Sequence, residues 1–375
     1  MDCWHATGTV GGIGTFAIGL LRTVQAVPRL LESYDIELDL LYPHPPGLTS
    51  CYIQPSRRLR CSFRERLFCS REHWEDYFLP KLLHDCHPDM IFSPSFRTPL
   101  TVDLPSVVTS HDVIFETSVD SGVRAPQSLQ IHRQRAGESA RKASMVVTPS
   151  NHARSDIIRA WSIPSERIRT IPLAPSPLFR PRNKARAGET VRFLYGVSNR
   201  FVLYYGGMNP RKNVAALVRA FEGLARRFSD LSLVLVGASD NKEAQAQVAS
   251  LGELSCRVCC LSYVPEVDLA LLASAAEVFV YPSLYEGFGL PPLEAMAAGT
   301  PVVTTSCTSI PEVCGDAAAY VDAVDTDALE EVVANVLSSE ELQGSLRVKG
   351  LRRAAEYSWT RTTEAYLQTF MEALS

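Results

Sequence analysis

Two cations and two carboxylates in the second half of the chain stand where apolar runs end. Tyr205-Gly206-Gly207-Met208-Asn209-Pro210-Arg211-Lys212-Asn213 separates the run Phe201 to Tyr205 from Val214, Leu217, Val218, Phe221, Leu224 and Phe228, which recur at helical spacing. Cations at a helix start oppose the macrodipole unless an anion is bound there, so Arg211 and Lys212 call for a partner. A diphosphate suits a planar fork beside a compact point charge; a pair of solvated surface cations is the plainer reading. Tyr285-Glu286-Gly287-Phe288-Gly289-Leu290-Pro291-Pro292-Leu293-Glu294 follows a strand ending at Tyr281 and runs into a helix that Gly299 ends. Proline at the first helical positions puts Glu294 in the first turn, with Glu286 eight positions earlier on the loop. Gly287 and Gly289 leave backbone N–H groups open to phosphate or a sugar hydroxyl, and both carboxylates can accept hydroxyl hydrogens. Helix N-terminal stabilisation would account for Glu294 but not for Glu286.

The first half is less specific. Gly11-Gly12-Ile13-Gly14 opens a helix near Thr15 and offers N–H groups to an anion, or is only a tight strand-to-helix turn. Such a turn normally follows a strand, yet only Asp2-Cys3-Trp4-His5 precedes Gly8, which leads us to expect a missing first strand of a few residues, or a stub of one. Ser110-His111-Asp112 closes a strand, so His111 stands at the carboxyl edge of a sheet, as a hydroxyl-binding imidazole or a half-buried, internally satisfied one. Arg57, Arg58, Arg60, Arg64, Arg66 and Arg71 interleave with Leu59, Phe63, Leu67 and Phe68. A solvated helix face is the favoured reading of that run; a surface for an anionic membrane or a lipid diphosphate is the other.

These residues need a scaffold with two carboxyl edges, and the apolar pattern supplies one. Ile36 to Tyr42, Asp89 to Ser93, Ser106 to Ser110 and Met145 to Pro149 read as buried strands of one half, and Phe201 to Tyr205, Leu231 to Val236, Val278 to Tyr281 and Pro301 to Thr305 as those of the other. Helical spacing between them means parallel α/β layers. Periodicity lapses over Pro172 to Gly188, the expected linker, and a last helix spans Thr360 to Leu374. With 375 residues, 46% apolar and 21% charged, the chain can bury two cores. A net charge of −4 removes the global argument for nucleic acid as a partner. Ten scattered cysteines without a secretory leader read as reduced, buried small residues. Cys256, Cys259 and Cys260 lack a second ligand pair for zinc. The longest apolar stretch, Leu269 to Pro282, is cut by Glu277 and is too short to span a bilayer.

Taken in order, Gly11 to Gly14, Ser110-His111-Asp112, Val147-Thr148-Pro149-Ser150-Asn151, Gly206 to Asn213, the Tyr285-to-Glu294 block and Ser309-Ile310-Pro311-Glu312-Val313 resemble family 4 retaining glycosyltransferases. The block of Glu286, seven residues and Glu294, followed by Ala295-Met296-Ala297-Ala298-Gly299-Thr300-Pro301-Val302-Val303, is highly specific, and the N-terminal part much less so. The resemblance implies a GT-B fold, two Rossmann-like domains with parallel sheets facing across a cleft. Residues 1–180 would bind the acceptor, 181–356 the nucleotide sugar, and 357–375 would cross back as a helix. It implies diphosphate binding by Arg211 and Lys212, ribose binding by Glu294, donor-sugar binding by Glu286 with Gly287, Phe288, Gly289 and Leu290, and a base beside Val264. Gly12 and Gly14 would approach the diphosphate or acceptor, and His111 the sugar near its anomeric centre. His111, Glu286, Arg211 and Lys212 are thus the expected catalytic set. Where many relatives carry arginine, this chain has Gly207, so the charge falls to Arg211.

Pro210-Arg211-Lys212-Asn213 is similar to a mannosyltransferase-rich subgroup, which implies GDP-mannose as donor and a glycan or lipid-linked saccharide as acceptor in cell-surface polysaccharide synthesis. Transfer would need no metal or other cofactor, because preorganised cations can hold the departing diphosphate. The expected setting is cytoplasmic, with peripheral contact at the inner membrane surface. A nicotinamide dehydrogenase lacks its Gly-x-Gly-x-x-Gly turn and acidic partner here. A nucleotide-sugar epimerase or an inactive binding protein on the same fold remain the alternatives.

Overall fold

The computed structural model describes residues 1–4, 12–43, 56, 58–63, 70–117, 127–198, 200–322 and 325–375. Gly11, Arg57, Arg64 and Arg66 lie outside them. The chain forms two compact units, Met1–Leu173 with Ser358–Ser375, and Ala174–Tyr357.

In the first unit β1 (Leu38–Tyr42) pairs in parallel with β2 (Leu59–Phe63). A second parallel sheet runs β3 (Ile91–Ser93), β4 (Ser106–Thr109), β5 (Met145–Thr148), β6 (Ile168–Thr170). Met1–Cys3 joins them: Asp2 N–H donates to Phe92 O at 2.9 Å, and Cys3 N–H to Leu41 O at 2.9 Å. These three residues form an isolated bridge, Asp2 to Leu41, rather than a full strand. The helix that follows, Gly12–Ala26, starts at Gly12 rather than near Thr15. The last helix, Trp359–Leu374, belongs to this unit; Tyr366 Oη lies 3.0 Å from Thr109 Oγ1 and its ring packs on Phe16 and Phe92.

The second unit holds one parallel six-stranded sheet, ordered β12 (Ala319–Val321), β11 (Val302–Thr305), β10 (Val278–Tyr281), β7 (Arg200–Tyr204), β8 (Leu231–Val236), β9 (Val258–Leu261). Helices fill the connections, as parallel pairing demands. The order reverses beside β7, and at such a switch point the loops leaving the carboxyl ends of neighbouring strands part to make a crevice. The strands β7, β8, β10 and β11 agree with the apolar runs; β2, β6, β9 and β12 were not read from them. The interval Pro172 to Gly188 is not all linker: helix Lys184–Tyr195 begins inside it, capped by the Asn183 side chain, which accepts from Arg186 N–H at 3.0 Å. Nor are the cysteines uniformly buried; Cys3 and Cys314 are, whereas Cys256 is exposed.

Candidate active site

At the end of β7 the backbone turns through Gly206 (φ +133°) and Gly207 (φ +92°). A Cβ on Gly206 would stand 2.8 Å from the Tyr281 ring, so only glycine fits. The Asn209 side chain accepts from Arg211 N–H at 3.1 Å and starts a single 3-10 turn, Pro210–Lys212; Asn213, left-handed at φ +53°, then begins the helix Val214–Arg227. The two cations therefore precede the helix.

Their partner is within the fold. Glu286 Oε1 accepts from Lys212 Nζ at 2.7 Å, Arg211 Nη1 at 3.0 Å, Ser283 Oγ at 2.5 Å and Tyr281 Oη at 3.0 Å. Lys212 Nζ also donates to Tyr281 Oη at 2.6 Å, and Arg211 Nη1 to Tyr285 O at 2.7 Å. Lys212 and Glu286 are buried, Arg211 partly so. Burial works to raise the Glu286 carboxyl, but Lys212, Arg211 and the hydroxyl donors outweigh it and hold it below the usual carboxylate range. Without ligand, Arg211 and Lys212 both pair with Glu286, so the fold itself supplies a partner for the cations.

The loop carrying Glu286 is tied down by the next strand's loop. Glu286 N–H donates to Thr308 Oγ1 at 3.0 Å, and Ser309 Oγ lies 2.8 Å from both the Glu286 and Phe288 carbonyls. Gly289 (φ +108°) leaves 2.7 Å between a would-be Cβ and Ile310 Cδ1. Helix Leu290–Ala297 follows with prolines at its first positions. Glu294 is its fifth residue, past the first turn, which corrects the expected placement. It is buried beside Tyr205, whose hydroxyl donates to Pro291 O at 3.2 Å. Burial first, then the Glu266 carboxylate, push the Glu294 carboxyl well above its ordinary value despite its hydrogen bond to Tyr205. The two carboxyls are thus shifted in opposite directions, Glu286 down among cations and Glu294 up by burial. Val264, buried, lies on the turn between β9 and helix Glu266–Ala275.

In the first unit His111 follows β4. Its Nε2 is 3.0 Å from Pro94 O, a distance that requires Nε2–H as donor and leaves Nδ1 an acceptor. Phe16, of the helix that Gly12 opens, and Phe96 meet the ring edge-on, at 5.0 and 5.9 Å between centroids. Burial, against the weaker effect of the Pro94 bond, lowers its pKa to about 4, so it is neutral at physiological pH. Gly12 is exposed and Gly14 buried at that helix start.

With this geometry in place, similarity to known proteins becomes informative. The family model "Glycosyltransferase Family 4" matches residues 10–174, and "Glycosyl transferases group 1" matches 195–353. O-antigen chain mannosyltransferase B of Escherichia coli is 33% identical over 290 residues, covering 76% of this chain and 75% of that protein. The chain belongs to glycosyltransferase family 4. A second E. coli relative, serotype-specific mannosyltransferase WbdA, is 26% identical over 303 residues, but the match spans only 37% of its length. The crystal structure of Anabaena HepE with UDP and glucose has a TM-score of 0.75 at 18% identity over 97% of both chains, and that of WaaG 0.74 at 16% over 96% of both. The glycosyltransferase therefore has the GT-B fold.

Of the glycosyltransferase's expected site residues, the fold brings Arg211, Lys212 and Glu286 into direct contact. Gly287, Phe288, Gly289 and Leu290 complete the loop leading to Glu294, which contacts Tyr205 and none of the cations by any hydrogen bond described. Tyr281, Ser283, Thr308 and Ser309 were not singled out for the roles they have here. Ser283 sits three residues before Glu286, the one spacing that could have signalled it. Of the arginine run, Arg58 pairs with Asp35 at 2.9 Å, Arg60 with Asp39 at 2.7 Å and Arg71 with Glu75 at 2.6 Å. Its described members are thus ion-paired within the unit, and Leu59–Phe63 is strand β2 rather than part of the expected helix face. No described helix is long and apolar enough to cross a membrane.

Proposed function

We propose that this enzyme transfers mannose from GDP-mannose, with retention of anomeric configuration and without a metal, to a glycan or lipid-linked saccharide in polysaccharide biosynthesis. The observation that carries the reading is the Arg211–Lys212–Glu286 cluster. Two cations are preorganised by Glu286 at the carboxyl edge of a parallel sheet, where a departing diphosphate can be stabilised without reorganisation. The mannosyltransferase names of its relatives support mannose; the proline-arginine-lysine-asparagine turn supports the same choice. In this reading Glu294 accepts ribose hydroxyls, the Glu286 loop holds the sugar and His111 offers Nδ1 to a sugar hydroxyl. Val264 lies beside the base.

Incubation of the full chain with GDP-mannose and a panel of mannose-containing acceptors, followed by NMR of the product, tests this. An α-mannoside with free GDP is expected. UDP-sugars as the only active donors, or a β product, would overturn the donor or the stereochemistry. An interconverted nucleotide sugar without free nucleotide would make the protein an epimerase.

A further inference from the structure

Beside His111 the first unit contains an ion-pair network that the proposed reaction does not use. Helix residues Arg71–His73 continue into one π-helical turn, Trp74–Phe78, a form that clusters at functional sites. That turn carries adjacent Glu75 and Asp76 onto arginines of different segments. Glu75, almost fully buried, accepts from Arg71 Nε at 2.6 Å and Arg97 Nε at 2.8 Å, and Asp76 from Arg135 Nη2 at 2.7 Å. Arg71 Nη2 then reaches forward to Ser95, donating to its Oγ at 2.9 Å and its carbonyl at 3.1 Å.

Ser95 follows the proline whose carbonyl receives His111 Nε2–H. The segment is not relaxed: Phe96 is left-handed at φ +35°, and Ser93 Oγ and Thr98 Oγ1 are buried with no hydrogen-bond partner. A strained backbone persists only where its surroundings over-determine it. Buried ion pairs are an inefficient way to gain stability, so this one's value lies in the geometry it fixes.

We propose that Arg71, braced by Glu75, is a positioning residue: by clamping Ser95 it holds the Pro94 carbonyl where it fixes the ring and tautomer of His111, leaving Nδ1 to accept from the donor sugar. Lysine at 71 keeps a charge for Glu75 but cannot fork between Glu75 and Ser95. The consequence for catalysis rests on His111 contacting the sugar, as proposed above; the positioning itself does not.

The test uses the full chain labelled with 15N-histidine, His111 being assigned by the signal lost in His111→Asn. Long-range 1H–15N spectra at pH 7 should show an Nε2–H tautomer in the wild type. In Arg71→Lys we expect mixed tautomers with a melting temperature within a few degrees of wild type. Calorimetry should show GDP-mannose bound about tenfold more weakly and GDP unchanged. If Arg71→Met also folds, it should reproduce both effects. An unaltered His111 tautomer in Arg71→Lys, or an Nδ1–H tautomer in the wild type, overturns the proposal. A changed tautomer with GDP-mannose affinity intact upholds the positioning and refutes the contact of His111 with the sugar.

Discussion

Replacing Glu286 with glutamine should make the free enzyme less stable and yet tighten its grip on GDP. Glutamine keeps a carbonyl oxygen for the Lys212, Ser283 and Tyr281 donors but removes the charge against which two cations are held. Breaking a buried ion pair by deleting one partner costs about 3–5 kcal/mol, and the retained hydrogen bonds put this case near about 3 kcal/mol. At about 2–4 °C per kcal/mol for a unit of this size, the melting temperature should fall by about 6–12 °C. Glu286 titrates below its unfolded value, so its stabilisation is present above about pH 4.3 and lost as pH falls through the lowered native pKa. Wild type and variant should therefore converge in acid. The same carboxylate repels an arriving diphosphate. A unit charge at about 4 Å is worth about 4 kcal/mol at an effective dielectric near 20, and solvent at the partly exposed Arg211 brings this toward the roughly 1 kcal/mol of an exposed pair. Since about 1.4 kcal/mol is tenfold in binding, GDP affinity should rise roughly fivefold in Glu286→Gln. Turnover of GDP-mannose should fall, because the sugar loses its carboxylate. Calorimetric titration with GDP and thermal melts from pH 3 to 8 measure both arms. An unchanged melting temperature at pH 7, or GDP bound more weakly than by wild type, refutes the electrostatic account.

Glu294→Gln should act oppositely on stability. The native carboxyl is raised by burial, so its contribution is complete below about pH 4.3 and is lost as pH climbs toward the raised value; the variant should melt higher than wild type at pH 8 and equally near pH 4, as melts across that range will show. Gly206→Ala drives a Cβ to 2.8 Å from the Tyr281 ring at φ +133° and should cost about 1–3 kcal/mol, read by urea denaturation, with weaker GDP binding because Tyr281 also holds Lys212. Chelator in the transfer assay should leave the rate unchanged, and a loss restored by a divalent ion would show that Arg211 and Lys212 do not suffice for the leaving diphosphate. Lys212→Ala should abolish detectable transfer in the same assay.

How far the sequence discloses this site depends on whether each feature is local in the chain. Strand β8, Leu231–Val236, and strand β10, Val278–Tyr281, have the bounds that their apolar runs predict, because strands buried on both faces read as near-continuous apolar runs, broken in β8 only by Ser232. Strand β9, Val258–Leu261, escaped because it lies at the sheet edge and is only partly buried, so its cysteines read as scattered thiols. Helix Lys184–Tyr195 escaped because its basic first turn resembles a linker, and only the Asn183 cap marks its start. Residue types at the site were legible in the same local way: a turn bearing two cations, a loop bearing two glutamates.

Pairing was not legible, since it spans separate strands. Glu286 meets Lys212 across 74 positions, and Arg71 reaches Ser95 across 24. No spacing rule connects residues whose proximity is created by the order of strands in a sheet. The macrodipole was a sound guide to Arg211 and Lys212, because it showed that their charge had to be compensated. What it could not show is that the compensating carboxylate belongs to the loop after β10, the strand that neighbours β7 only once the sheet has formed. The same fact bears on the proposed diphosphate site: because Glu286 already holds both cations, the entropy of keeping Arg211 and Lys212 in place is met in folding, and a ligand binding there would redistribute existing charge instead of ordering loose side chains.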